Sequence, residues 1–220
     1  MSFDILHPHE VNFEKISFTK NRSNNKLYLS YNYDSGNCGR LRIATPWLDL
    51  LQIDNKSCLL SLKVMSSEPK MQEIYDFIKK FDKYIIDSCK KFNWFDPSEI
   101  SNIKFRKTFL KSSSIEEVEE DTSNGWIYPI IRCSTMDAEA FEKNGNNIKL
   151  SELSTNQRVK VAIECCGIWF ENNKFGTSWR ILQFLVGENI KQDIEYSFKD
   201  SDDEKEENIY YDSEFTDVDY

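Results

Sequence analysis

Residues 158–186 show the clearest alternation of hydrophobic and polar positions in the chain, in two long runs. In the first run Val159, Val161 and Ile163 alternate with more polar neighbours, which is the period of a half-buried strand. The second run, 179–186, is apolar on nearly both sides. The segment ENNKFGTS between them supplies the Asn and Gly residues of a turn. The pattern predicts a long β-hairpin with aromatic residues gathered near one end.

Shorter alternating runs predict further strands before this hairpin. They cover residues 26–34, 40–44, 57–65, 103–111 and 126–133, with a first strand or lead-in that contains Ile16 and Phe18. Residues 137–147 are rich in turn formers and predict only a short connection. Seven or eight strands without β-α-β alternation predict an antiparallel barrel or sandwich.

One long helix is predicted over about residues 69–92. Apolar residues from Met71 to Phe92 recur at steps of three and four, while lysines fill the opposite side. Ser67 can cap this helix, and Pro69 is tolerated in its first turn. Asp96 and Pro97 predict the start of a short second helix. The fold class is therefore mostly β, with one long inserted helix.

Composition is that of a globular protein, with 40% hydrophobic, 14% aromatic and 30% charged residues among 220. No run approaches the roughly 20 apolar residues of a membrane helix, and the N-terminus lacks a signal-peptide pattern. We therefore expect a soluble, intracellular protein without membrane contact.

The six cysteines form no C-x-x-C motif, and adjacent Cys165 and Cys166 point to opposite strand faces. We expect reduced, mostly buried thiols and neither a metal nor a cofactor.

The net charge of -9 comes entirely from the end of the chain. Residues 200–220 contain ten acidic residues and only Lys205 as a base, so residues 1–199 are neutral. Repeated like charge with few aliphatic residues predicts a disordered tail after a first domain of residues 1–199. The tail also carries aromatic residues, which leaves two interpretations open. It either solubilises the protein or mimics nucleic acid by occupying the basic groove of the domain or docking on basic partners.

Catalysis is not expected, because no Walker, dinucleotide-binding, zincin or nucleophile-elbow motif is present. The two histidines, His7 and His9, lie in a polar lead segment.

Residues 103–111, IKFRKTFLK, instead interleave aromatic and basic side chains most densely. Phosphate contacts of this kind supply sequence-independent affinity for nucleic acid, and rings can stack bases. A protein-interaction or assembly module without nucleic-acid binding stays the alternative, and a carboxylate-metal nuclease is a third possibility.

The order of several segments resembles a known family. Over about residues 26–187 the chain resembles the single-stranded DNA-binding proteins of large nucleocytoplasmic DNA viruses. The segments that carry this resemblance are, in order, RLRIATPWL near Arg40, WIYPIIR near Trp126, VKVAIECCGIWF and FGTSWRILQFLV. The acidic tail that ends in Asp219 and Tyr220 is also similar to that of T7-type phage single-stranded DNA-binding proteins.

This resemblance implies an OB-fold and a role in viral DNA replication, recombination or repair, at a replication site in the host cytoplasm or nucleus. Single-stranded DNA or RNA would be the ligand, and the tail would recruit replication proteins. The basic side chains expected to hold phosphates are Arg40, Arg42, Lys104, Arg106, Arg132, Lys160, Lys174 and Arg180. The aromatic side chains expected to stack bases are Tyr28, Trp47, Trp126, Trp169, Phe175 and Trp179.

Overall fold

The structure is a computed structural model that describes residues 4–20, 26–62, 69–95, 102–110 and 129–187. They belong to a compact unit that spans residues 1–189. Four predicted features lie outside the described residues: the Ser67 helix cap, the short helix after Asp96, Trp126 and the acidic tail.

Thirteen strands and one α-helix are formed by the described residues. In chain order they are β1 (Ile16–Lys20), β2 (Leu27–Asn32), β3 (Cys38–Gly39), β4 (Arg42–Ala44), β5 (Leu48–Ile53), β6 (Ser57–Ser61), α1 (Pro69–Lys91), β7 (Lys104–Arg106), β8 (Phe109–Leu110), β9 (Ile130–Ser134), β10 (Glu139–Glu142), β11 (Asn147–Ile148), β12 (Arg158–Glu171) and β13 (Lys174–Val186). Short 3-10 turns occupy Pro8–Glu10, Phe13–Lys15 and Leu150–Glu152.

Five of these strands pair in a closed circuit. β12 pairs with β5, β5 with β6, β6 with β9, β9 with β13, and β13 pairs back with β12. The β9–β13 contact is parallel and consists of one register pair, Arg180 with Ser134. A five-stranded, partly open barrel is the architecture of an OB-fold. The prediction of a mostly β, OB-fold-like barrel with one long inserted helix is therefore confirmed.

The β12–β13 hairpin is the longest pairing, and two irregularities decide which way its side chains point. Its register shifts between Ala162 and Ile163, and again between Cys165 and Gly167. Gly167 has a φ of +128°, and a Cβ there would lie 2.5 Å from the Leu27 carbonyl oxygen. Only glycine fits such a bulge, because the backbone of β2 approaches it so closely.

Helix α1 contributes its apolar stripe to the same buried core as the barrel strands. Phe81 is fully buried and meets Trp179 edge to face, with ring centroids 5.3 Å apart. Beside this pair, the buried Asp82 carboxylate accepts hydrogen bonds from the Thr108 amide and hydroxyl, at 3.0 and 2.5 Å. The Thr108 hydroxyl also lies 2.9 Å from that of Thr177. Burial raises the pKa of Asp82, although the Thr108 hydrogen bonds act in the opposite direction.

The sequence patterns missed some strands. β5 was not predicted, and the predicted connection at 137–147 contains β10 and β11. β10 pairs in parallel with β13 over four residues, a contact between segments about forty residues apart that local alternation does not reveal. Among the described helices, none is long and apolar enough to cross a membrane.

Candidate nucleic-acid interface

The outer face of the barrel gathers most of the predicted site residues. Side chains alternate along each strand, so residues in register across neighbouring strands share a face. β7 continues this surface beside β13, because Lys104 is in register with Lys174 and Arg106 with Gly176. The predicted residues on this face are Tyr28, Arg40, Arg42, Lys104, Arg106, Arg132, Lys160, Trp169, Lys174 and Arg180, all exposed or half-buried.

Glu164 organises the middle of this face. It lies in β12 between Arg42 of β4 and Arg180 of β13, which are its register partners on either side. Its Oε1 accepts from Arg40 Nη1 at 3.0 Å and Arg180 Nε at 2.9 Å, while Oε2 accepts from Arg42 Nε at 2.8 Å. The three guanidinium groups cover the carboxylate, whose side chain is only 1% exposed. Three positive charges around one negative charge leave a surplus of two.

The carboxylate stays ionised in this setting. Burial by itself would raise the pKa of Glu164, but hydrogen bonds from Arg42 and Arg40 and the charge of Arg180 outweigh it and lower the pKa. Arg40 keeps 40% of its side chain exposed, and Arg180 keeps 30%. An arginine has five N–H donors, so both can hold Glu164 and still present N–H groups to an outside anion.

A cleft of about 410 Å³ opens directly beside this cluster. Tyr28 and Trp169 supply its aromatic walls, and Lys26 and Arg40 supply its cations. The Trp169 ring lies over Gly176, where an added Cβ would come within 2.8 Å of it. Aromatic rings next to cations are the combination that holds bases and phosphates together.

A second group of cations lies at the turn end of the hairpin. Lys104, Arg106, Lys107 and Lys174 are all exposed, and no described carboxylate lies within ion-pair distance of them. These four positive charges lie together at one end of the face, although residues 1–199 are neutral overall.

Trp47 lies at the opposite end of the hairpin and is half-buried. The ammonium groups of Lys160 and Lys143 lie 5.2 and 5.8 Å from its ring centroid, within the range of cation–π contacts. A Cβ added to Gly187 would lie 3.1 Å from the ring, so the indole rests on the end of β13. Trp47 thus extends the combination of ring and cation to the far end of the face.

Two predicted stacking residues are not on this face. Phe175 and Trp179 are each only 4% exposed, and Trp179 meets Phe81 of α1. Phe175 packs edge to face with Phe105 and Phe95. The expectation that these rings stack bases is therefore corrected, because both point from β13 into the core.

Sequence reasoning also missed Glu164 and Lys26. A single acidic residue in the apolar run VAIECCG signals a buried carboxylate that needs partners. Arg40, Arg42 and Arg180 are the partners, but only strand pairing brings them to it. Lys26 lies just before β2 and carries no comparable signal.

Within the described ranges, no group of three or more His, Cys, Asp or Glu side chains could hold a metal. The six cysteines are free, and four of them are buried. Burial raises the pKa of the Cys165 thiol to about 12, so that group is protonated and unreactive at neutral pH.

Three solved structures of a single-stranded DNA-binding protein from bacteriophage Enc34 are similar to this chain. The C-terminal truncation is 13% identical, and the match covers 80% of this chain and 96% of the phage chain with a TM-score of 0.44. The complex with single-stranded DNA is 12% identical, and the match covers 79% of this chain and 96% of the phage chain with a TM-score of 0.44. A third structure of the same phage protein is 13% identical over 80% of this chain and 95% of its own, with a TM-score of 0.44.

No curated protein matches the chain. The model of a family of unknown function, DUF5871, matches residues 59–200. This match spans more than half of the chain, and the protein therefore belongs to the DUF5871 family.

Proposed function

We propose that the protein binds single-stranded DNA or RNA without sequence preference, along the outer face of the barrel. The observation that carries the proposal is the Glu164 cluster, which holds three arginines beside the cleft lined by Tyr28 and Trp169. The role that we propose is to coat exposed strands during viral DNA replication, recombination or repair. Such a role needs no catalytic group.

Phosphate binding follows from the geometry of the cluster. Glu164 fixes the guanidinium planes before any ligand arrives, so less side-chain entropy is lost on binding. Arg40 and Arg180 have donors to spare, and a guanidinium can bind two phosphate oxygens at once. Lys104, Arg106 and Lys174 extend the positive surface toward the turn of the hairpin. Phosphates of one strand can therefore follow the face without any base being read.

Stacking would supply the second part of the affinity. Trp169 and Tyr28 lie next to the arginines, and Trp47 lies under two lysines at the other end. Each stacked base contributes roughly 1–3 kcal/mol whatever its identity. We expect added single strands to quench tryptophan fluorescence, and the signal to weaken as salt rises.

The test is an anisotropy titration with single- and double-stranded oligonucleotides at several salt concentrations. Arg40→Ala removes one phosphate contact and leaves two arginines on Glu164. Each lost contact with a single strand should reduce the slope of log affinity against log salt by about 0.7. The matched control is Lys83→Ala, which removes an exposed charge from α1 and should leave the slope unchanged. Binding that does not respond to salt, or binding only to other proteins, would instead support the assembly-module alternative.

The acidic residues 200–220 have a separate place in the proposal. Ten carboxylates with interspersed aromatic side chains offer the same chemistry as a strand of nucleic acid, so they would compete for the basic face or recruit basic replication proteins. Deletion of residues 200–220 should tighten binding of single strands, most strongly at low salt. Unchanged affinity after the deletion would contradict competition and leave recruitment as the role of the tail.

A further inference from the structure

A second depression, here called the aromatic groove, lies between β1, the end of α1 and the turn end of the hairpin. Its volume is about 630 Å³, within the roughly 300–1,000 Å³ range of small-molecule sites. Five aromatic rings line it: Phe18, Phe92, Trp94, Phe95 and Phe170. The outer-face cleft described above does not include any of these rings.

The end of α1 holds three of these rings in place. Asn93 has a φ of +46° and follows the last helical turn as a left-handed cap. The Trp94 amide donates to the Cys89 carbonyl at 3.2 Å, and the Asn93 amide donates to that of Lys90 at 3.4 Å. These two bonds form a Schellman motif, which terminates the helix in a fixed geometry. Phe92, Trp94 and Phe95 are therefore presented by a defined turn.

Four of these rings are half-buried against the core, and Phe92 is the exposed one. Phe92 is 52% exposed, with the Lys91 ammonium 5.3 Å from its ring centroid and the Phe18 ring tilted against it at 6.1 Å. Phe18 meets Trp94 edge to face, with centroids 4.9 Å apart, and Phe95 meets Phe170 in the same way at 5.1 Å. Phe18 and Phe170 also stack on Tyr84 and Phe175, with centroids 6.2 Å apart in each pair. The exposed Phe92 is therefore the ring that offers its surface to a further flat ring.

Charge and position indicate what that further ring belongs to. Lys20 and Lys26 border the groove, and no acidic residue is among its described lining residues. Lys26 and Leu27 also line the cleft beside Tyr28 and Trp169. The aromatic groove is thus continuous with the proposed phosphate face and has the same sign of charge.

We propose that the aromatic groove takes unstacked bases of the same single strand whose phosphates lie on the outer face. This inference rests on the proposed function and adds a second, base-binding subsite to it. Lys26 would hold the phosphate at which the strand passes from the cleft to the groove. A short strand would then fill the cleft alone, whereas a longer strand would reach both sites.

Phe92→Ala tests this subsite, because the ring is more than half exposed and its loss should leave the fold intact. Oligothymidylates of about 4 and about 16 nucleotides, the limits of site size for one OB-fold, serve as the probes. The variant should bind the long probe between about 5-fold and about 150-fold more weakly, which is the effect of losing one stacked base. It should bind the short probe, and a long abasic probe, as wild type does. Met136→Ala is the control, since Met136 is 66% exposed and lines neither site.

Each result separates the two proposals. If Phe92→Ala binds the long probe as tightly as wild type while Arg40→Ala lowers the salt slope, the subsite is refuted and the proposed function stands. If wild type itself binds neither probe, the proposed function fails. If Phe92→Ala instead tightens binding of the long probe, and this gain disappears once residues 200–220 are deleted, the groove holds that segment and not bases, which also refutes the subsite.

Discussion

Replacement of Glu164 by Gln probes the arginine cluster most directly. The substitution keeps the size of the side chain but removes the negative charge that three arginines share. Hydrogen bonds to charged groups contribute about 1.5–3 kcal/mol each, and Gln retains one acceptor oxygen. The arginine side chains are 20–40% exposed and can recover hydration, which reduces the loss. We expect the free energy of unfolding to fall by about 2–3 kcal/mol.

Urea denaturation followed by tryptophan fluorescence measures this loss, and a thermal scan should show a Tm lower by about 4–12 °C. Glu171→Gln is the matched control, because Glu171 lies on the same strand and is exposed. It should change stability by less than about 0.5 kcal/mol.

The pH dependence gives the sharper test. The pKa of Glu164 is lower in the folded state, so its stabilising contribution is present above the unfolded value of about 4.3 and is lost as pH falls through the folded value. The difference between wild type and Glu164→Gln should therefore shrink as the pH is lowered below about 4. A difference that is the same at neutral and acidic pH would refute the electrostatic account, as would equal stability at neutral pH.

Two further substitutions test the parts of the fold that position the face. Gly167→Ala should lower the free energy of unfolding by about 2 kcal/mol or more in urea denaturation, because the new Cβ meets the Leu27 carbonyl at a positive φ. Gly39→Ala is the control and should be nearly neutral, since Gly39 has ordinary space and an ordinary φ. Equal effects of the two substitutions would contradict this account. Asp82→Ala should lower the free energy of unfolding by about 1–3 kcal/mol, because the Thr108 amide loses its acceptor. Asp82→Asn keeps an acceptor oxygen and should retain most of the stability. Equal losses in the two variants would contradict a role of this hydrogen bond in stability.

The alternation of residues determined much of the fold by itself. Strands and helices differ in their hydrophobic period, so the β12–β13 hairpin and a helix close to Pro69–Lys91 are local properties of the sequence. Alternation also placed Arg40 and Arg42 on one face. Alternation does not predict that Glu164 binds Arg40 and Arg42, because those hydrogen bonds join segments more than a hundred residues apart.

Tertiary structure decided which rings are available to a ligand. Strict alternation groups Trp169 with the inward-facing Val159, but the bulge at Gly167 shifts the register and turns Trp169 to the outer face. Trp179 faces inward because α1 covers that side of the hairpin. A sequence pattern shows that a strand has two faces, whereas only packing against the helix and the close approach of β2 determine which face is buried.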